Sequence, residues 1–477
     1  MKYSIKYISA LILGGAALLS SCSKTVDVDP SHTVNGANFF TKVEDYDFAL
    51  TGAYQRLKLN GLYGGVNGGS VFLCAVDVGA DNFYTGANNL GALNTMFRWN
   101  YTADGTTPQG AWNDAYSVIQ QANLSVRGID KLRSTDELAV NRIEGQARAL
   151  RAFMHFELLR WWSDNYDRNS TALGIAYVDE FDVEQMPARG TVKETYDNIE
   201  QDLKTAKQMM SNMDKSIQSG TSVLGTNRAY IDTLVVDAML ARMYIYSNQL
   251  DSAIKYSSFV INARPLALPV EFPLIWQDAS TKEVVWSIKY QTGEPALARE
   301  IYQPAGDLVS WRPVLALLAL YDPTDVRTDA YWINRNNRVV LKKYDAKATA
   351  TGNPDGVTDF KIFRTGEMYL IRAEAYARKG LNAPGLADLN TLRTARNAAT
   401  GNESGSALET AIQVERRKEL VVEGHRFFDI KRTTRSISRT QNCTGFCTLA
   451  SNSRAWNLPV PQTEILANEN MIQNPGY

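Results

Sequence analysis

Histidine is nearly missing from this chain, with three in 477 residues, at positions 32, 155 and 425. So thin a supply leaves no HExxH helix for zinc chemistry and no histidine beside a serine or cysteine nucleophile. Cysteine is scarce as well, at four. Neither sign of charge dominates, because 50 Lys and Arg meet 51 Asp and Glu. The chain therefore has no basic excess with which to hold a nucleic-acid backbone. Its densest cations, Arg416-Arg417-Lys418 and those between Arg432 and Arg439, sit among Glu415, Glu419, Glu423 and Asp429, a pattern of ion pairs and not of a nucleic-acid patch. The glycine-rich run from Gly61 to Gly69 lacks both the Gly-Lys-Ser/Thr of a P-loop and GxGxxG spacing, so it reads as turns. No catalytic constellation, metal site or cofactor is expected.

Past the first residues there is also no apolar run long enough to span a bilayer. At the start, Lys2 and Lys6 precede an apolar stretch from Tyr7 to Leu19 that ends Leu19-Ser20-Ser21-Cys22. It is shorter than the ~20 residues a spanning helix needs, and residues 1–21 read as an export signal. Leu-Ser-Ser-Cys resembles a bacterial lipobox, whose cleavage would leave Cys22 as a lipidated first residue. Residues 22–38, with Lys24, Asp27, Asp29, Pro30 and Gly36, fit a flexible tether. The remainder, 39–477, is expected to be one domain. In an exported chain, Cys443 and Cys447 are expected to close a small disulfide loop, since zinc would want two more ligands. Cys74 is left as a buried thiol.

Helical spacing recurs through the chain. It predicts helices over Glu44–Lys58, around Trp112, Tyr116, Ile119 and Asn123, over Glu137–Trp161, and over Val192–Met213. Asn123 falls on a buried side and needs partners. From Leu234 to Pro265, the residues Ala241, Tyr244, Ala253 and Pro265 occupy tetratricopeptide positions, and Ser257 departs from the usual aromatic. A second such unit carries Ala373, Tyr376, Ala387 and Leu392, with a longer connection. Helix pairs at about 137–213, 230–265 and 367–398 cannot close their cores alone. The expected fold is mainly α, a continuous superhelix of tetratricopeptide-like pairs with long irregular loops and a few short strands.

Two stretches escape this pattern, 59–110 and 264–365, and both are rich in aromatics. Loops this long are usually functional. Within the second, Glu283–Tyr290 alternates as a strand with Trp286 in the core, Val339–Tyr344 is another short strand, and Trp311-Arg312 before Pro313 reads as loop.

The segment from Ala411 to Arg432 organises the rest. Glu415, Glu419 and Glu423 stand four apart on a helix, within reach of Arg416, Arg417 and Arg426, and are expected to be ion pairs and not catalysts. Gly424 is expected to break that helix before a short second one that buries Phe427 and Phe428. The strings Glu415-Arg416-Arg417-Lys418-Glu419-Leu420, Glu423-Gly424-His425-Arg426 and Asp429-Ile430-Lys431-Arg432 resemble the signature of the SusD/RagB family of outer-membrane nutrient-binding lipoproteins. Leu150-Arg151-Ala152-Phe153, Leu458-Pro459-Val460-Pro461 and Gln473-Asn474-Pro475-Gly476-Tyr477 resemble it too.

The resemblance implies a lipid anchor in the outer membrane at the cell surface, an oligosaccharide or other nutrient as ligand, and a SusC-like TonB-dependent transporter as partner, without catalysis. It places the ligand on aromatic-lined loops outside the repeats. By region, these are Asn82, Tyr84, Trp99, Asn100 and Tyr101 in the first irregular stretch, and Trp311 with Arg312 in the second. Two rival readings are a surface glycoside hydrolase, for which Asp77, Asp81 and Asp104 are the only acids in the first loop, and a tetratricopeptide scaffold that binds protein alone.

Overall fold

The computed structural model describes residues 40–477 apart from 66–68, 87, 165 and 213–227. The export signal, Cys22 and the tether lie outside the described residues. Met1–Asp45 and Tyr46–Tyr477 cluster as separate units, and the architecture below is that of the second. Its longer helices are α1 (Val43–Arg56), α2 (Thr106–Leu124), α3 (Glu137–Trp162), α4 (Val192–Met209), α5 (Thr233–Tyr246), α6 (Leu250–Ala263), α7 (Thr365–Arg378), α8 (Asn382–Ala395), α9 (Ser406–Glu419) and α10 (Arg426–Arg432).

Helix α3 is the spine, 26 residues long, or ~39 Å at 1.5 Å per residue. Asp136 caps its start by accepting the Ala139 N–H at 3.0 Å. The partner helix α4 opens with a reciprocal capping box between Thr191 and Glu194. Arg151 of α3 ties three helices together, donating to Asp202 on α4 at 2.6 and 2.7 Å and to Asn123 on α2 at 2.8 Å. Asn123 thus finds the partners its buried position demands, with the Val178 carbonyl as a further acceptor at 3.0 Å. His155 is equally structural. Its Nε2 accepts the Val178 N–H at 3.0 Å, and burial, with Arg151 beside it, lowers its pKa to about 3.

Helices pack in chain order, α3 on α4, α4 on α5, α5 on α6, α6 on α7 and α7 on α8, so the hairpins stack into one superhelix. In α5 and α6 the small residues Ala241 and Ala253 are fully buried. Tyr244 fills the groove, stacking on Tyr256 at 5.5 Å and donating to Glu200 on α4 at 2.9 Å. Where an aromatic is usual, Ser257 returns its hydroxyl to the Ala253 carbonyl at 2.6 Å. In the second unit Leu370, Ala373, Leu389 and Leu392 form a core that α9 completes with Leu408 and Ile412.

The irregular stretches hold most of the strands: β1 (Phe83–Thr85), β2 (Val284–Ile288), β3 (Tyr302–Gln303), β4 (Leu308–Val309), β5 (Trp311–Pro313), β6 (Trp332–Arg335), β7 (Arg338–Leu341) and β8 (Phe360–Arg364), followed by β9 (Ile437–Ser438) and β10 (Thr448–Leu449). They pair antiparallel in twos, β1 with β5, β2 with β8, β3 with β4, β6 with β7 and β9 with β10. Trp286 lies in the core of β2, fully buried. Cys443 and Cys447 form the disulfide, and Cys74 is buried and free.

The acid ladder is ionic, but its partners are not the neighbouring arginines. Glu419 meets Arg364 at 2.7 Å, Arg396 at 2.8 Å and Arg327 at 3.0 Å. Glu423 meets Arg364 at 2.6 Å and Lys343 at 2.5 Å, and Glu415 meets Arg327 at 2.6 Å. Arg416 turns to Asp429 at 3.0 Å, while Arg417 and Arg426 turn to Asp81. Local spacing cannot reveal such partners, because a helix presents its faces to whatever packs there. Burial alone would raise the Glu419 carboxyl, yet Arg396, Arg364 and Arg327 together hold it well below the usual range. Gly366, at the start of α7, makes room for the cluster, since a Cβ there would stand 2.7 Å from Glu419 Oε1.

Helix α9 ends at Glu419, five residues before the expected break at Gly424. Its last carbonyls and those of the following turn are taken by side chains from elsewhere: Tyr331 donates to Glu419 O at 3.0 Å, Lys343 to Val421 O at 2.8 Å and Tyr344 to Val422 O at 2.8 Å. Gly424 instead serves the turn, with φ of +80° and a Cβ position only 2.5 Å from the Phe72 carbonyl.

Candidate functional site

The two irregular stretches meet in the β1–β5 ribbon, where Tyr84 lies opposite Arg312 and Thr85 opposite Trp311. Alternation along three residues sends Trp311 and Pro313 inward and Arg312 outward. Trp311 is fully buried, packs on Phe97 at 4.9 Å and donates its Nε1–H to the Ala92 carbonyl at 3.1 Å. The expected loop platform at Trp311 is therefore a core residue, because a three-residue strand is too short for its alternation to show in the sequence.

Arg312 has the opposite fate. Its guanidinium lies 5.6 Å from the Tyr84 ring centroid, and both side chains are partly exposed. Among the described residues Arg312 forms no ion pair. Beyond β1 the chain continues beside β4 and β5: Gly86 N–H donates to Ser310 O at 2.8 Å, and Asn88 accepts from Arg338 at 3.5 Å. Arg338 also pairs with Asp307, which in turn accepts from Asn336 at 2.6 Å and from Tyr302 at 3.1 Å. Leu90 and Leu315 stand exposed nearby in sequence, at 98% and 68%.

Trp99 forms a second group with Asn100. It is partly exposed and Asn100 is exposed, and its indole N–H is fixed to the Gly79 carbonyl at 2.8 Å. Arg439 lies 4.0 Å from the Trp99 ring and 4.0 Å from that of Phe97. Among the described residues Arg439 has only carbonyl acceptors, including Ala80 at 2.7 Å and Gly79 at 2.8 Å, and burial lowers its pKa to about 9. The disulfide loop borders this group through Phe446, whose ring lies 5.3 Å from the Arg98 guanidinium. A rigid indole beside an exposed amide, and a guanidinium beside a phenol ring, offer an apolar sugar face and its hydroxyls what each needs.

Two further expected residues turn inward. Asn82 is fully buried, donating to Asp77 at 2.7 Å and accepting from Arg417 at 2.7 Å. Tyr101 is buried too, with its hydroxyl on the Ala455 carbonyl and its ring stacked on Tyr477, so it anchors the chain end. Burial takes Asn82, Tyr101 and Trp311 off any surface where a ligand would land. Asn88, Asp307, Asn336 and Arg338, which join beside this ribbon, carry no signal in the sequence beyond their place within the irregular stretches.

The acids of the hydrolase reading are differently placed. Asp77 is fully buried and burial raises its pKa to about 7. Asp81 accepts Arg426 through both oxygens, at 2.7 and 2.8 Å, and is held well below the usual range despite its burial. Carboxylates with pKa values pushed apart suit acid and base roles, but Asp77 is sealed in the core and Asp81, partly exposed, is clamped by Arg426, so the two do not face each other across an open cleft. Among the described residues no group of three His, Cys, Asp or Glu is placed to hold a metal ion, and no helix is long and apolar enough to cross a membrane.

Two family models match the chain: residues 318–477 fit the SusD family and residues 43–234 fit a model described as starch-binding, associating with outer membrane. A SusD-like protein of Formosa agariphila is 23% identical, with 98% of each chain covered. The starch-binding protein SusD of Bacteroides thetaiotaomicron is 33% identical over 124 residues, 25% of this chain and 22% of that one. A solved SusD superfamily structure from the same species superposes with a TM-score of 0.78 at 23% identity, covering 91% of this chain and 100% of that one.

Proposed function

The chain belongs to the SusD/RagB family, and we propose that it captures carbohydrate at the cell surface and passes it, unaltered, to a SusC-like TonB-dependent transporter. Residues 39–477 act as one binding domain, lipidated Cys22 anchors it to the outer membrane, and residues 23–38 form the tether. The ligand lands on the loop face, with Tyr84 and Arg312 as one contact group and Trp99 with Asn100 as the other. The observation that carries this assignment is Arg312, a partly exposed guanidinium over an aromatic ring with no carboxylate to neutralise it among the described residues.

The test is a glycan array on the detergent-solubilised full chain, followed by calorimetric titration of the best ligand. Arg312→Ala is expected to weaken that ligand about 10-fold, the scale of one charge-assisted hydrogen bond, with an unchanged melting curve. Equal affinity in the variant would move the site elsewhere, and turnover of the bound glycan would replace capture by hydrolysis. Cys22→Ala is expected to release the protein from the membrane fraction. Retention through carbonate and salt washes would refute the lipid anchor.

A further inference from the structure

A groove of about 710 Å³ opens where α7, α9 and the turn after α10 converge, and arginines dominate its charged lining. Two of them are consumed by the fold. Arg432 is held by Glu374 at 2.7 Å and Asp429 at 2.9 Å, and Arg426 takes both oxygens of Asp81. Arg378, on the rim, reaches Glu374 at 3.5 Å.

The other two carry charge to spare among the described residues: Arg417 shares its one carboxylate with Arg426, and Arg435 pairs with none. Arg417 spends its hydrogen bonds on neutral oxygens, those of Asn82 and the Asp81 carbonyl at 2.7 and 2.8 Å, and comes no nearer than 3.6 Å to a carboxylate that Arg426 already holds. Among the described residues Arg435 donates only to Thr433 Oγ1 at 2.7 Å, Gln413 Oε1 at 3.2 Å and the Asp429 carbonyl at 3.3 Å. Burial lowers the pKa of each; Asp81 partly offsets this for Arg417 and Asp429 for Arg435, while Arg426 nearby lowers both. Facing them, Glu374 is already engaged by Arg432, and Glu409 is exposed. Arg417 and Arg426 share the single carboxylate of Asp81, and Arg435 is partly exposed and bonded only to neutral groups, so this wall holds surplus positive charge that an anion would offset.

We propose that the groove binds the oxyanion of an acidic saccharide, a carboxylate or a sulfate ester, on Arg417 and Arg435. Guanidinium forks match both groups. The volume exceeds what a bare ion fills and falls in the ~300–1,000 Å³ range of small-molecule sites. The groove is distinct from the loop face, and its argument does not depend on the capture role proposed above.

The test titrates the full chain with trigalacturonate, a sulfated disaccharide, neutral maltotriose and inorganic sulfate, all at equal ionic strength. One or both acidic sugars are expected to bind, with the preferred one separating carboxylate from sulfate. Arg435→Gln, which disturbs only neutral partners, is expected to weaken that sugar about 10-fold with an unchanged melting curve. Glu409→Gln, which removes a like charge from the lining, is expected to tighten it. The proposal fails if no acidic sugar binds, if Arg435→Gln binds as the native chain does, or if inorganic sulfate binds as tightly as the sugar.

Discussion

Arg364 closes strand β8 with Glu283, Glu419 and Glu423 around it, whereas Arg312 sits in strand β5 beside a tyrosine ring and no carboxylate among the described residues. Arg364 is fully buried and every nitrogen donates: Nε to Glu423, Nη1 to Glu283 and Glu419, Nη2 to Glu423 and the Glu419 carbonyl. The string most diagnostic in the sequence therefore builds the frame. The residue left with donors to spare belongs to a stretch with no recognisable string. In a binding protein this division is physical, since a satisfied buried network has nothing to offer a ligand and a ligand contact must be left unsatisfied.

The comparison breaks first at Glu419. Glu419→Gln leaves Arg327, Arg364 and Arg396 short of a counter-charge in the interior, with an expected cost of about 3–5 kcal/mol and no change in glycan affinity per folded molecule. Denaturant unfolding with parallel titration checks both; normal stability with lost binding would put the ligand in the ion cluster. Next come the two tryptophans. Trp311→Ala is expected to lower stability by about 3–5 kcal/mol and leave affinity alone. Trp99→Ala is expected to do the reverse, weakening glycan binding about 5- to 150-fold, the equivalent of ~1–3 kcal/mol of stacking. Melting curves and calorimetry on the pair decide whether core and platform have been assigned correctly.

The smallest effect is on pH. His155 and His425 are held neutral by burial and nearby arginines, so the unfolded chain takes up their protons below pH 6.5 and the folded chain does not. Stability is lost as pH falls. Asp77, raised to about 7, acts in the opposite sense because the folded chain holds a proton that the unfolded chain lacks until near 3.8. Between about pH 6 and 5 the balance is roughly one net proton, or ~1.4 kcal/mol of stability lost per pH unit. Asp77→Asn is expected to steepen that slope to about two protons. A slope unchanged by the substitution would place the Asp77 proton elsewhere.

The helices were legible because their apolar spacing repeats over many turns. Glu137–Trp161 as read from the sequence is Glu137–Trp162 in the structure. Asn123 was legible as a residue in need of partners, though not that one of them would be Arg151. The ladder was legible as ionic, but its main cations are Arg327, Lys343, Arg364, Arg393 and Arg396, and no sequence spacing encodes contacts between separate elements. On the loop face, residue type pointed equally to Trp99 and Trp311. What separates them is a three-residue strand that buries one and a left-handed backbone, φ +54°, that turns the chain at the other.

The Glu419 cluster also sets a clock. Its pairs join residues far apart along the chain, Arg364 to Glu283 across 81 positions, Arg327 to Glu419 across 92 and Arg396 to Glu283 across 113. Contacts this distant require costly loop closures, whereas the helix hairpins assemble from neighbours. The hairpins are therefore expected to form before the ionic knot closes. Interactions made after the rate-limiting step slow unfolding while leaving the folding rate nearly untouched. The segment that marks this chain in sequence is thereby expected to set how long a folded molecule stays folded, and faster unfolding of Glu419→Gln at an unchanged refolding rate is the check.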